Sequence, residues 1–127
     1  MRSIMILNAK GGSGKSTLST NLASYYASNG NKVLLVDYDP QHSSLDWLKE
    51  RPVGRPGISA VDGSAGTVRT PRNIDYVIYD TPAAVRGKEL AALIRKSQSI
   101  IIPVLPSPID MRAATPFIRE VLNNGKV

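Results

Sequence analysis

The sequence predicts an α/β fold, a doubly wound and mostly parallel sheet with helices on both of its faces. Short apolar runs of strand length alternate with segments that carry helical periodicity, which is the order found in this class. The runs are continuously apolar, as expected for parallel strands that are buried on both faces. Two runs end in an aspartate, at the sheet edge where open α/β sheets place their sites. The four runs are residues 3–8, 32–37, 76–80 and 100–104.

A glycine-rich loop follows the first apolar run and leads into a helix. Glycines let the backbone curl so that successive N–H groups point inward, and the helix N-terminus adds partial positive charge. Lys15 would then reach the β- and γ-phosphates of a nucleotide, and the Ser16 hydroxyl would bind Mg²⁺. The predicted nucleotide-binding residues are Lys10, Gly11, Gly12, Ser13, Gly14, Lys15, Ser16 and Thr17.

This loop departs from the strict phosphate-binding pattern G-x-x-x-x-G-K-[ST], because Ala9 stands where the first glycine would be. The dinucleotide-binding pattern G-x-G-x-x-G fits Gly12 and Gly14 but fails at Thr17, where its third glycine is required. The remaining alternative to phosphate binding is a glycine turn with two solvated lysines.

Carboxylates follow two of the later strands. The second run leads into Asp37-Tyr38-Asp39-Pro40-Gln41. For Asp37 taken alone, helix capping or ribose binding is the alternative interpretation. The third run ends in Asp80, the Walker B arrangement, in which an apolar strand holds a carboxylate that orders the water shell of Mg²⁺. Since these motifs follow the glycine loop in chain order, we expect them to form one site with it.

The other elements are placed by periodicity and turn signals. The first helix has one apolar face and a left-handed glycine cap at Gly30. Residues 43–50 are predicted to form a short helix and residues 58–61 an edge strand, and Asp110 is predicted to cap the last helix. Helical spacing places the following apolar residues on one face of each helix: Leu18, Leu22, Tyr25 and Tyr26 in the first, Leu90, Leu93 and Ile94 on the core face of a later one, and Ala114, Phe117, Ile118, Val121 and Leu122 in the last. The face of the last helix is expected to pack in the core or at an interface.

Composition excludes several classes of protein. The 127 residues suggest one domain over residues 1–127, able to bury about two-thirds of its unfolded surface. The absence of cysteine excludes disulfides, thiolate metal sites and iron–sulfur clusters. No apolar run approaches the ~18 residues of a membrane-spanning helix and no secretory leader precedes the first run, so we expect a cytoplasmic protein.

The net charge of +6 is compatible with nucleic-acid binding and with ordinary surface charge, since the 16 Lys and Arg residues are spread along the chain. Trp47 and the arginines of the long irregular stretch at residues 51–73 offer a candidate DNA or partner surface. The same residues also fit a packed tryptophan among solvated arginines, and both interpretations stay open. They are Trp47, Arg51, Arg55, Arg69 and Arg72.

The lysine ahead of the glycines, the D-x-D-P-Q string and the Walker B aspartate together resemble the ParA/MinD family of deviant Walker A ATPases. Within it the chain is most similar to small plasmid-partition (ParF-like) proteins. The resemblance implies that Lys10 reaches the phosphates of a partner subunit and that Asp39 orients water. It places Ser16, Asp37 and Asp80 on the Mg²⁺ side. Ala83 departs from the family, which often has a second proline there.

By this resemblance we expect an ATP-dependent homodimer with weak ATPase activity, associated with the nucleoid. It would bind nonspecific DNA and respond to an activating, ParB-like cargo adaptor, so that a plasmid, chromosome or other cell body is positioned. The proline-rich residues 106–110 resemble a dimer face. Family members continue with further strand–helix units, so we expect the domain to be C-terminally incomplete.

Three alternatives remain. A metabolic ligase of the dethiobiotin-synthetase type is disfavoured by Lys10 and the intact D-x-D-P-Q string. A MinD-like protein would bind membrane through a C-terminal amphipathic helix, and none is visible in the chain. An adaptor that does not hydrolyse nucleotide is disfavoured because both Asp39 and Asp80 are present.

Overall fold

The computed structural model describes residues 1–8, 15–51, 54, 57–65, 68–82 and 85–124 of the chain. The strands are β1 (Arg2–Ile6), β2 (Val33–Asp37), β3 (Ser59–Asp62), β4 (Tyr76–Asp80) and β5 (Ser99–Ile101). The helices are α1 (Lys15–Ser28), α2 (Ser43–Lys49), α3 (Gly87–Ile94) and α4 (Pro108–Asn123), with one 3-10 turn at Gly63–Ala65. None of the helices within these ranges is both long enough and apolar enough to cross a membrane.

The described strands form one parallel sheet in the order β3-β2-β4-β1-β5. Helices α1 and α2 pack on one face and α3 and α4 on the other. This confirms the predicted doubly wound parallel sheet. Because β4 lies between β1 and β2, Asp80 is paired with Asp37 on one side and with Ile6 on the other. The carboxyl ends of three central strands therefore meet at one edge.

The face of α1 that packs on the sheet differs from the predicted one. Ala23 and Ala27 are buried, while Tyr25 is 63% exposed, so its predicted place on the packed face of the helix is wrong. Small side chains let the helix lie close to the sheet, and the larger ones then flank the contact. Among these, Tyr26 stacks on Tyr76 with ring centroids 3.8 Å apart. The half-buried flanking residues are Leu18, Leu22 and Tyr26. As predicted, Gly30 follows α1 in the left-handed region, at φ 85°.

Strand β5 is shorter and less buried than predicted. It ends at Ile101, two residues before Pro103, which has no N–H to donate to a ladder. Its two isoleucines are half-buried, because among the described strands β5 pairs with β1 alone. The expectation of a fully buried strand over residues 100–104 is therefore wrong.

Helix α4 begins at a serine–proline pair. Ser107, not Asp110, is the N-cap, since its Oγ accepts a hydrogen bond from the Asp110 backbone N–H at 3.2 Å. Pro108 takes the first helical position, where its missing N–H costs nothing. Asp110 lies in the first turn, and its carboxylate accepts from the Ser107 hydroxyl. The prediction of Asp110 as the cap was wrong. Ser and Asp are equally good N-caps, so the sequence does not show which of the two residues, three positions apart, begins the helix.

A side chain at Gly63 is expected to destabilise the fold. A Cβ there would lie 2.6 Å from two ring atoms of Tyr38 and 2.9 Å from Val36 Cγ1. Gly63→Ala should therefore lower the free energy of unfolding, by about 1–3 kcal/mol as for other overpacked sites. Gly57→Ala is the matched control, because nothing lies within 4 Å of a Cβ at Gly57. Urea unfolding of both variants tests this, and equal stability of the two would contradict it.

Candidate nucleotide site

The carboxyl ends of β2 and β4 and the start of α1 form the candidate site. Asp37 and Asp80 end neighbouring strands and are fully buried. Lys15, the first residue of α1, is 6% exposed, and Asp39 follows β2 by two positions. Side chains that are far apart in sequence thus meet, as predicted. The predicted site residues Lys10, Gly11, Gly12, Ser13 and Gly14 lie outside the described residues.

Asp80 is the centre of this polar cluster. Lys15 Nζ donates to its Oδ1, and the hydroxyls of Ser16 and Ser44 donate to its Oδ2, Ser16 at 3.2 Å. A carboxylate in a low-dielectric interior needs a cation and hydrogen bonds, because unpaired charge there is costly. One ammonium and two hydroxyls meet this need and hold the carboxylate in one orientation.

Asp39 lies beside the cluster, on a tight turn. Its Oδ2 is 3.5 Å from Lys15 Nζ, and 17% of its side chain is exposed. Its Oδ1 accepts from Gln41 N at 3.0 Å, and its carbonyl accepts from His42 N at 3.0 Å. His42 ends the turn in the left-handed region, at φ 55°, with Nε2 3.1 Å from Asp62 Oδ2. The Asp39 carboxylate therefore faces both solvent and the lysine.

Asp37 is engaged by the backbone. Its Oδ1 accepts from Asp39 N at 2.9 Å and its Oδ2 from Leu45 N at 3.2 Å. Burial raises the pKa of the Asp37 carboxyl, and Asp80 and Asp39 act in the same direction, while the two N–H donors oppose the rise. In this structure the carboxylate holds the Asp39 turn and the start of α2. Its predicted place beside Mg²⁺ stays a prediction.

The three predicted nucleotide-binding residues in the first turn of α1 differ in where their side chains lie. Lys15 and Ser16 are directed to Asp80, whereas the side chain of Thr17 is exposed. Two hydroxyls close this turn: Ser19 Oγ donates to the Lys15 carbonyl and Thr20 Oγ1 to the Ser16 carbonyl, each at 2.9 Å. The role of Thr17 in nucleotide binding stays a prediction.

Two buried hydroxyl residues at this edge were missed from the sequence. Ser44 is fully buried and donates to Asp80. Thr81 is also fully buried, and its Oγ1 donates to the Ile6 carbonyl at 2.7 Å, which joins the ends of β4 and β1. Thr81 directly follows the Walker B aspartate, and that adjacency could have indicated it. Ser44 has no comparable signal, because Ser43 beside it has the same chemistry.

The tryptophan and arginines proposed as a partner surface are only partly brought together. Arg51 lies over the Trp47 ring, 5.4 Å from its centroid, and donates to Ser24 Oγ at 3.2 Å. These contacts join α2 to α1 and favour the packed-tryptophan interpretation. Arg69 and Arg72 are exposed, and Arg55 lies outside the described residues.

The cluster combines groups that suit the binding of a nucleoside triphosphate. A lysine ammonium binds phosphate as a point charge. A serine hydroxyl beside a carboxylate offers the hard oxygen ligands that Mg²⁺ prefers. A partly exposed carboxylate at the side of the cluster can orient water. Lys15, Ser16, Asp80 and Asp39 supply these groups in that order.

Comparisons with known proteins agree with this chemistry. A family model described as the CobQ/CobB/MinD/ParA nucleotide binding domain matches residues 4–124. The chain is 33% identical, over 129 aligned positions, to the maintenance of carboxysome distribution protein A of Gloeobacter kilaueensis, covering 98% of this chain and 59% of that protein. It is 50% identical, over 81 positions, to the chromosome-partitioning ATPase Soj of Treponema pallidum, covering 64% of this chain and 29% of that protein.

The fold is also found among solved structures. pNOB8 ParA bound to nonspecific DNA matches with a TM-score of 0.73 at 22% identity, covering 96% of this chain and 60% of that one. The chain thus spans less than two-thirds of the length of each of these three proteins.

Proposed function

Because the chain belongs to the CobQ/CobB/MinD/ParA nucleotide-binding family, we propose that the whole protein is an ATP-dependent dimerisation switch with weak ATPase activity. The switch would position or segregate DNA or another intracellular cargo on the nucleoid, in the cytoplasm. The observation that carries the proposal is the contact of Lys15 with Asp80 and Asp39, which joins the glycine loop, the D-x-D-P-Q string and the Walker B strand.

Mg²⁺ fits the residues at this edge. Ser16 Oγ and Asp80 Oδ2 lie 3.2 Å apart, so a hydroxyl and a carboxylate present oxygen ligands side by side. Within the described ranges, no three His, Asp or Glu side chains are grouped so that they could hold a metal ion. Mg²⁺ usually takes few protein ligands and completes its shell with phosphate and water. We therefore assign Ser16 and Asp80 to the ion, which would neutralise phosphate charge, with Asp37 as a supporting carboxylate.

The remaining roles follow from position and charge. Lys15 binds the β- and γ-phosphates of the nucleotide held by its own subunit. Asp39 orients the attacking water, since it is the partly exposed carboxylate next to Lys15. Lys10, which precedes the glycines, is assigned to the phosphates of the partner subunit, where it neutralises charge that develops in the transition state.

An exposed apolar segment supports a homodimer that forms beside this site. Val104 and Leu105, which follow β5, are 40% and 42% exposed, and Ile109 and Met111 in α4 are 75% and 59% exposed. Large apolar side chains that are exposed together, here within residues 104–111, are typical of an interaction surface. β5 runs parallel to β1, so this segment starts from the same sheet edge as the site.

The cargo and partners are proposed from the charge and the relatives. The net charge of +6 suits a DNA backbone, and a protein of the same fold is solved with nonspecific DNA. Two relatives are named for carboxysome distribution and chromosome partitioning. We therefore propose nonspecific DNA as the surface on which the dimer assembles and a ParB-like cargo adaptor as the activator.

ATP turnover by the intact protein tests this proposal directly. We expect slow turnover alone and faster turnover when duplex DNA and the product of a neighbouring adaptor gene are both present. Turnover that is fast and indifferent to both additions would favour a metabolic enzyme instead. No turnover under any of these conditions would contradict the ATPase assignment.

DNA binding is expected to require ATP and to weaken steeply with salt. Contacts to phosphates release counterions, so a protein with 6–10 such contacts loses about 10³–10⁵ in affinity between 50 and 200 mM salt. Fluorescence anisotropy with duplexes of two unrelated sequences, in ATP and in ADP, measures this. Equal binding in ATP and ADP, or a flat salt dependence, would contradict a nucleotide-gated DNA switch.

A further inference from the structure

Helix α2 buries a serine in place of an apolar residue. Of its seven residues, Ser44 alone is fully buried, while Trp47 and Leu48 are half-buried. Burying a hydroxyl is unfavourable unless it is hydrogen-bonded. The Ser44 hydroxyl meets this condition by donating to Asp80 Oδ2. The helix is therefore docked on the site through a polar contact with the Walker B carboxylate.

The first turn of α2 is tied to both strand-terminal aspartates. Ser44 reaches Asp80 at the end of β4, and the next residue, Leu45, donates its N–H to Asp37 at the end of β2. Asp39 lies on the turn that leads into this helix through its N-cap His42, and its own N–H donates to the other oxygen of Asp37. A shift of the Asp80 carboxylate would thus be transmitted through Ser44 to the segment that carries Asp39.

We propose that Ser44 is a positioning residue that orients Asp80 toward Mg²⁺ and couples it to the Asp39 turn. The inference rests on the proposed function, because it gives Asp80 a role at the nucleotide-bound ion. Groups that hydrogen-bond a metal-side carboxylate typically contribute about 10–100-fold to metal affinity or activity. The specific consequence is that Ser44 sets the Mg²⁺ concentration at which nucleotide binds tightly, without contacting the nucleotide.

The adjacent serine provides a matched control. Ser43 is exposed and begins the same helix, so Ser43→Ala and Ser44→Ala change identical chemistry at neighbouring positions. The affinity of the intact protein for a fluorescent ADP analogue is measured across a Mg²⁺ titration and in EDTA. We expect Ser44→Ala to raise the half-saturating Mg²⁺ concentration by about 10-fold or more. Affinity in EDTA should stay within about 2-fold of wild type, and Ser43→Ala should match wild type throughout.

A second comparison tests whether Ser44 acts through Asp80. Adding Ser44→Ala to Asp80→Asn should change the Mg²⁺ requirement by less than about 2-fold, because contacting residues are not additive when one acts through the other. A full additional effect of Ser44→Ala in this background would overturn the proposal. If Ser44→Ala does not fold, as judged by circular dichroism, Ser44→Cys replaces it, since a thiol has similar size but is a weak donor.

The outcomes separate this inference from the proposed function. If wild type binds ADP independently of Mg²⁺, the metal assignment fails, and the inference fails with it. If wild type requires Mg²⁺ but Ser44→Ala and Ser43→Ala behave alike, the inference alone is overturned. An equal loss of affinity by Ser44→Ala with and without Mg²⁺ would also overturn it, because that pattern indicates a structural role.

Discussion

Lys15→Ala is expected to abolish ATP binding. Lys15 supplies the ammonium that contacts Asp80 and Asp39, and each charge-assisted hydrogen bond that it makes to phosphate is expected to be worth about 1.5–3 kcal/mol. Isothermal titration calorimetry on the intact protein measures the affinity. Lys49→Ala is the control, since it removes one positive charge from an exposed position on α2. Binding of ATP by Lys15→Ala with wild-type affinity would show that the loop is not a phosphate site.

The same substitution also leaves the buried Asp80 without its cation, which is expected to cost about 3–5 kcal/mol of stability. A second variant separates the two effects. In Lys15→Ala with Asp80→Asn the buried charge is absent, so stability should largely return while ATP binding stays lost. Thermal unfolding followed by circular dichroism checks the first part. If the double variant recovered ATP binding as well, loss of folding rather than loss of the lysine would explain the single variant.

Asp39→Ala is expected to reduce ATP turnover by about 10²–10⁴-fold while nucleotide binding and dimerisation persist. Asp39 is the partly exposed carboxylate beside Lys15, where it can orient water without holding the nucleotide. Asp46→Ala, at an exposed position in the first turn of α2, is the matched control. Turnover at the wild-type rate in Asp39→Ala would remove Asp39 from the mechanism.

Lys10→Ala is expected to differ from Asp39→Ala in the same assays, because it should impair dimerisation as well as turnover. A cation supplied by a partner subunit contributes about 10³–10⁵ in rate in the known cases. Loss of Lys10 should therefore abolish turnover and also weaken the ATP-dependent dimer, while each monomer still binds nucleotide. Normal turnover in Lys10→Ala would contradict the cross-subunit role.

Sequence reasoning predicted that the three motifs lie together because the signals of these motifs are local. Each of the three motifs ends a strand or begins a helix, and the rules of parallel sheets bring such ends to one edge. The motifs do meet in the structure, since Lys15 contacts both Asp39 and Asp80, while the roles of these residues stay predictions. The order of the strands follows from packing, and it places Asp37 and Asp80 side by side.

The buried face of α1 and the buried hydroxyl of α2 were missed from the sequence, because both depend on how closely one element packs against another. Periodicity selects Tyr25 for the core because it weighs apolar character, whereas the close approach of α1 to the sheet favours Ala23 and Ala27. Likewise, nothing local distinguishes Ser44 from Ser43. Only the docking of α2 against the ends of β2 and β4 decides which hydroxyl is buried.

The central claim is that ATP switches the protein between monomer and dimer, and light scattering of the intact protein tests it most directly. Wild type and Asp39→Ala should be monomeric in ADP, and Asp39→Ala should accumulate as a dimer in ATP because it does not hydrolyse the nucleotide. Lys10→Ala should remain largely monomeric in ATP. If Asp39→Ala had the same mass in ATP and in ADP, a nucleotide-driven dimerisation switch would be contradicted.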